Sequence, residues 1–233
     1  AVGEKGQIIY SDNSGSSWDL LNTQSLNSLD PLNDVAIFNE DEVYIVGDNG
    51  RFIEGTSSSL STLIIDADLD FHSIEYLNLA DPLDDFALTT GTNHQNESGV
   101  LYKIDQNQTA ETKFTGQGFN AISISNSGEI YVSGQDGRFA EVELSSGNIQ
   151  RIQDKPTDEI EHFNEIRASY FLNDERGMAI IEDDDGLGRL NYTLDGGINW
   201  QPTGNYFSST DLTNLNVYRD NGNIARFVVS GKD

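Results

Sequence analysis

Arg51, Arg138 and Arg189 each follow a glycine (Gly50, Gly137, Gly188) and open a segment of alternating character. Guanidinium forks match carboxylates, so three arginines at equivalent places could clamp an anionic ligand. His94, in the turn spanning 92–98, would join them on the same face. The competing expectation is that each arginine only neutralises neighbouring acids such as Asp48, Asp136 or Asp185. The run Glu182-Asp183-Asp184-Asp185-Gly186 offers several carboxylate oxygens to a hard cation. An EF-hand loop would need an oxygen ligand at Ile181, so that template fails. Asp66-Ala-Asp-Leu-Asp70 lacks a following glycine. Both runs read as solvated acidic loops, with calcium at Asp183, Asp184 and Asp185 as the alternative. His72, His94 and His162 show no metal-ligand spacing, and no other cofactor is expected. No Gly-x-Ser-x-Gly elbow and no phosphate-cradling Gly-Lys-Ser/Thr motif is present, so no catalytic residue is assigned.

Composition narrows the partners. Of 233 residues, 13 are Lys or Arg and 39 are Asp or Glu, a net charge of −26. That balance opposes nucleic acid and anionic membrane surfaces. No apolar run is long enough for a membrane-spanning helix. The chain has no cysteine, which excludes disulfides, a thiolate nucleophile and Cys-based metal sites. It opens on Ala1 and its one methionine is Met178, which reads as a processed or excised chain. High acidity with abundant Ser, Asn and Gly suits an extracytoplasmic setting: periplasmic, secreted or at the cell surface.

The positioning elements are repeats. Tyr44-Ile-Val-Gly-Asp-Asn-Gly-Arg-Phe52 returns as Tyr131-Val-Ser-Gly-Gln-Asp-Gly-Arg-Phe139, and halving the interval lands on Gly91. Further copies fall at Gly3, in Gly177-Met-Ala-Ile-Ile181, and at Phe227-Val-Val-Ser-Gly231. Each unit reads as four short strands bounded by Gly, Asn and Asp turns. First strands include 34–38, 119–124 and 212–217; third strands include 7–10, 51–54, 100–103, 138–141 and 189–192; fourth strands include 18–21 and 148–152. One turn of helix could fit within 156–167. A four-stranded unit of this period is a propeller blade. Residues 1–233 are therefore expected to form a single all-β propeller domain of about five four-stranded blades. The strands at 212–217 and 224–230 would join 7–10 and 18–21 in one composite blade, closing the ring and removing exposed edges. The alternative is a fragment of a six- or seven-bladed propeller.

Ser11-x-Asn13-x-Gly15-x-x-Trp18 and Thr193-x-Asp195-x-Gly197-x-x-Trp200 share one template. A hairpin explains it: the Asp or Asn accepts backbone N–H groups, the Gly takes positive φ, and the indole anchors the turn. The template resembles the Asp-box, or BNR repeat, found between the third and fourth strands of propeller blades. Asn13 departs from the usual Asp, and Asn199 from the usual Thr or Ser. Leu144-Ser-Ser-Gly147 looks like a worn copy. Together with the opening Ala1–Ile9, the boxes resemble the photosystem II stability/assembly factor-like propellers, in their non-photosynthetic bacterial branch. The photosynthetic members have seven blades and a basic patch, and this chain is short and acidic. The resemblance implies a blade scaffold and leaves function open.

The reading that follows is a non-catalytic, exported or surface-displayed module that binds a protein or glycan, with Arg51, Arg138, Arg189 and His94 as the ligand-binding patch. The acidic surround favours a basic partner or a calcium-bridged contact. A sialidase-like glycoside hydrolase on the same scaffold is the second reading, although the N-terminal Arg-Ile-Pro expected of sialidases is absent. A structural domain of a longer adhesin is the third.

Overall fold

The computed structural model describes residues 1–21, 29–37, 42–77, 86–104, 109–113, 118–125, 128–145, 148–154, 165–204, 210–219 and 225–232. The chain divides into two compact units, Ala1–Gly118 and Phe119–Asp233. In the first unit, a 3-10 turn at Glu4–Gly6 precedes a two-stranded sheet of β1 (Ile9–Tyr10) and β2 (Asp19–Leu20). Two four-stranded antiparallel sheets follow. The first is β3 (Leu32–Ile37), β4 (Glu42–Gly47), β5 (Arg51–Thr56) and β6 (Ser59–Ile64), paired in that order. The next is β7 (Leu69–Leu77), β8 (Phe86–Asn93), β9 (Ser98–Ile104) and β10 (Thr109–Lys113).

The second unit repeats the plan with β11 (Phe119–Ile124), β12 (Ile130–Gly134), β13 (Phe139–Ser145) and β14 (Asn148–Asp154). Its second sheet is β15 (Ile166–Phe171), β16 (Gly177–Glu182), β17 (Gly188–Thr193) and β18 (Gln201–Pro202). A two-stranded sheet of β19 (Asp211–Arg219) and β20 (Ala225–Lys232) ends the chain. The only described helical element is the 3-10 turn, and no described helix is long and apolar enough to cross a membrane. The segment 156–167, read as room for a helical turn, lies outside the described residues up to 164, and its end enters β15.

The middle strands are apolar runs because both their faces are covered. All five residues of β12, Ile130–Gly134, are buried. Each sheet packs face to face on its neighbour within its unit. Phe71, Ile74, Val100 and Tyr102 meet Val46 and Phe52 in the first unit, and Tyr131 and Phe139 meet Phe171, Ile181 and Trp200 in the second.

The first strand of each four-stranded sheet, and β19, carries a β-bulge at its start. The register shifts fall between Leu32 and Asp34, Phe71 and Ser73, Phe119 and Ala121, Ile166 and Ala168, and Leu212 and Asn214. The unpaired residues are thus Asn33, His72, Asn120, Arg167 and Thr213. A bulge releases one side chain from the alternation of the sheet and re-aims it. The residue before each bulge pairs with the recurring glycine: Leu32 with Gly47, Phe71 with Gly91, Phe119 with Gly134, Leu212 with Gly231. A Cβ on Gly47 would collide with the Pro31 carbonyl oxygen, and one on Gly91 with that of Asp70. The sequence repeat is therefore the mark of a backbone approach beside the bulge. In β16 the equivalent position is Ile181, across from Ile166, while Gly177 pairs with Phe171 at the far end of the strand. The small residue of that unit is displaced, although the segment itself is placed as the repeat predicts.

Candidate functional site

The hairpins at 11–18 and 193–200 fold alike. The residue pairs Ser14 with Gly15 and Gly196 with Gly197 all have positive φ. The Ser11 hydroxyl accepts the Gly15 N–H at 2.8 Å, as the Thr193 hydroxyl accepts that of Gly197 at 3.0 Å. Asn13 Oδ1 accepts the Ser17 N–H at 2.9 Å, as Asp195 Oδ1 accepts that of Asn199 at 2.9 Å. Each departure from the template is accommodated within its own hairpin. The Asn13 amide donates to the Ser17 hydroxyl at 2.7 Å, and the Asn199 amide donates to Asp195 Oδ2 at 2.8 Å. Asn199, through its side chain and then its N–H, holds the Asp195 carboxyl below its usual range. These groups are occupied with one another, so the hairpins act as scaffold. Residues 146–147 of the worn copy lie outside the described residues.

The bulges and the turns between second and third strands bring polar residues together in each unit. In the first, the turn Asp48–Gly50 places Asn49 and Gly50 at φ 57° and 67°. Asn33 donates from Nδ2 to Asp48 Oδ1 at 2.8 Å and to the Phe71 carbonyl at 2.7 Å, tying neighbouring sheets. Asp70 accepts the Asn49 N–H on Oδ1 at 3.0 Å, and its Oδ2 lies 3.7 Å from His94 Nδ1. His72 Nε2 sits 3.1 Å from the Thr92 hydroxyl. Burial pushes the His72 imidazole down, against the pull of Asp70 and Asp48, and raises the Asp48 carboxyl despite the bond from Asn33. Asp30, Asp48, Asp66, Asp68 and Asp70 share this end of the sheets with a single arginine, Arg51, leaving it negative.

In the second unit Arg167 is the hub. Its Nη1 donates to Asp211 Oδ1 at 2.6 Å and the Leu212 carbonyl at 3.2 Å. Its Nη2 donates to Glu182 Oε2 at 2.9 Å and the Gly186 carbonyl at 3.0 Å. Beside it Asn120 donates to Glu165. Burial, and next the charge of Glu182, raises the Glu165 carboxyl. Asp183 Oδ1 accepts the N–H groups of Asp185 and Leu187 at 3.0 Å each, and Oδ2 accepts Arg189 Nε at 2.7 Å. Burial opposes that ionisation, but these bonds outweigh it and hold the Asp183 carboxyl low. Asp184 and Asp185 are exposed. Among the described residues no group of three His, Asp or Glu side chains converges as metal ligands would.

The three predicted arginines do occupy equivalent places. Arg51 pairs with Gly47, Arg189 with Ile181, and the Arg138 carbonyl accepts the Gly134 N–H at 2.9 Å. Their head groups part company. Arg51 is buried against Asp30 at 2.9 Å, Arg189 binds Asp183, and the Arg138 guanidinium lies over the Phe119 ring at 4.6 Å. His94 borders Asp70, and its N–H donates to the Asp68 carbonyl at 3.0 Å. The bulge residues Asn33, Asn120 and Arg167 were missed as site residues by the sequence reading. Their signal is an apolar residue followed by one extra polar residue that breaks strict alternation.

Glu75 on β7 supplies a pH test. Burial, and second the charge of Asp34, lifts its carboxyl to about 8 from 4.5. The folded chain then holds a proton that the unfolded chain releases. This contribution is complete below pH 4.5 and is lost as pH rises through 8. Glu75→Gln is therefore expected to gain on the wild type as pH rises, by up to about 5 kcal/mol at alkaline pH. Urea unfolding across pH checks this, and parallel curves for the two chains would refute it.

No family model and no curated protein matches the chain. Solved structures do. A YCF48 bound to a D1 peptide is 13% identical, with a TM-score of 0.54 over 99% of this chain and 85% of that one. YCF48 from Cyanidioschyzon merolae is 13% identical at a TM-score of 0.54, over 100% and 88%. The Dos1 propeller is 13% identical at 0.60, over 97% of this chain and 59% of its own. At this identity the likeness speaks to architecture, and it agrees with the succession of antiparallel sheets: the chain has the β-propeller fold.

Proposed function

We propose that this chain is a non-catalytic propeller module, exported or surface-displayed, that binds a basic segment of a partner protein at the carboxylate-rich end of its blades. The observation that carries the reading is the state of the cations. At that end of the first unit Arg51 is held by Asp30, so the charge left over at Asp48, Asp66, Asp68 and Asp70 is negative. A clamp for anionic sugars would need the reverse. The two hairpins are read as Asp-boxes, which their matched hydrogen bonds support, and they serve as scaffold. The D1 peptide on YCF48 is a precedent for peptide capture by this fold, in that protein. A calcium ion at Asp183–Asp185 would have to displace the Arg189 contact.

Fluorescence anisotropy with labelled Lys/Arg-rich and Asp/Glu-rich peptides tests this. The basic peptide should bind, about tenfold more weakly at 0.5 M than at 0.05 M salt, and several-fold more weakly to an Asp70→Asn chain. Equal binding of both peptides would sink the reading. Turnover of chromogenic sialosides or other glycosides would move it to the hydrolase class.

A further inference from the structure

Four outer strands end the four-stranded sheets: β6, β10, β14 and β18. Exposed edges invite pairing with other chains unless charge, proline or shortness blunts them. Three of the four are blunted. β10 reads Thr-Ala-Glu-Thr-Lys, β14 includes Arg151, and β18 has two residues of which one is Pro202. β6 reads Ser-Leu-Ser-Thr-Leu-Ile, and all but Leu60 are exposed, Leu63 to 54% and Ile64 to 47%. No charged residue occurs from Gly55 to Ile65, in a chain of net charge −26.

The register fixes which backbone groups face outward. The Ile65 N–H donates to the Gly50 carbonyl at 2.9 Å, and β6 runs antiparallel with Leu63 opposite Phe52, Ser61 opposite Glu54 and Ser59 opposite Thr56. Hydrogen-bonded pairs alternate in such a ladder, so residues 59, 61 and 63 bond inward. Leu60, Thr62 and Ile64 turn their N–H and C=O groups away from β5.

We propose that β6 pairs antiparallel with β6 of a second copy, about a two-fold axis at Thr62, joining two four-stranded sheets into one. In that register Thr62 faces the partner's Thr62 and Leu60 faces the partner's Ile64, both favourable cross-strand pairs. Strand β6 is thus its own complement, as an isologous interface requires, and this is what singles out a second copy as its occupant. Glu54 lies one strand inward and Asp66 beyond the end, so no carboxylate enters the ladder. Opposing association is the general repulsion of two acidic chains, which salt screens over about 8 Å at physiological strength. Pairing is therefore promoted by salt, the opposite sign to the basic-peptide contact proposed above, so the two readings fail independently.

Sedimentation velocity on the intact chain tests this. At tens of micromolar, the mass should rise from that of a 25.7 kDa monomer in about 0.02 M NaCl to twice that in about 0.5 M. Thr62→Lys opposes two ammonium groups at the axis, and Thr62→Pro removes an outward N–H without taking a bond from β5. Both should stay monomeric at every salt, with circular dichroism confirming the fold. The chain has no cysteine, so Thr62→Cys gives a clean trap. A hydrogen-bonded pair sets Cα atoms about 5.5 Å apart, within disulfide reach, and oxidation should cross-link most of the chain while Ser57→Cys stays largely uncross-linked. A monomer at all salts overturns the proposal. So does a dimer that survives both Thr62→Lys and Thr62→Pro, or equal cross-linking at the two positions.

Discussion

Trp200→Ala is expected to lower the unfolding free energy by about 4 kcal/mol, and Trp18→Ala by about 1 kcal/mol or less. The hairpins that carry them share the bonds that close the turn, so the difference is mainly one of packing. Trp200 is 5% exposed and Trp18 51%. The Trp200 ring meets Phe139 and Phe171 edge-on, at 6.3 and 5.9 Å between centroids, and removing it leaves a cavity between sheets. Its buried Nε1–H lacks a hydrogen-bond partner among the described residues, which offsets part of the gain from burial. Trp200→Phe should therefore be mild, about 1–2 kcal/mol. Urea midpoints at constant m measure all three. Equal losses at Trp18 and Trp200 would show that the hairpin bonds, and not the aromatic contact, carry the stability.

Arg167→Met is expected to cost about 3–4 kcal/mol, more than the loss of any exposed arginine. The guanidinium, 18% exposed, joins Glu182 and Asp211 across two sheets and also bonds two carbonyls. Without it these carboxylates, with Glu165 alongside, repel one another in a half-buried place. Acid should rescue the variant, because protonation of the carboxylates removes that repulsion. The gap from wild type is expected to narrow from pH 7 toward pH 4 in thermal melts. Arg167→Lys should recover only part, since an ammonium lacks the fork. A gap that stays constant with pH would point to lost packing of the side chain's stem.

The blades were legible because their signals are local. The glycine repeat at Gly47, Gly91 and Gly231 marks a steric requirement of the backbone, and the hairpin templates mark hydrogen bonds closed within a few residues. Strand starts at Phe119 and Asn148 fell where alternation placed them. The equivalence of Arg51, Arg138 and Arg189 was also readable, as register is a property of the sheet. Their partners were not readable. Asp30 lies 21 positions before Arg51 in a segment with no pattern, and Asp183, the partner of Arg189, stands in a run that reads as a solvated acidic loop with calcium as the alternative. Arg167 escaped notice because it stands in a bulge, where a break in period looks the same as the end of a strand. In a chain with three acids per base, composition alone could say that arginines would be captured, but only the fold says by which acids.

The hairpin at 11–18 keeps its full set of bonds although its indole is half in water. Its geometry is thus settled by eight consecutive residues and owes little to anything distant. Such short closures take microseconds or less, far ahead of the long-range pairing of strands. That corner can thus form while the rest of the polypeptide is still searching, giving the nascent chain one early point from which the order of assembly can start.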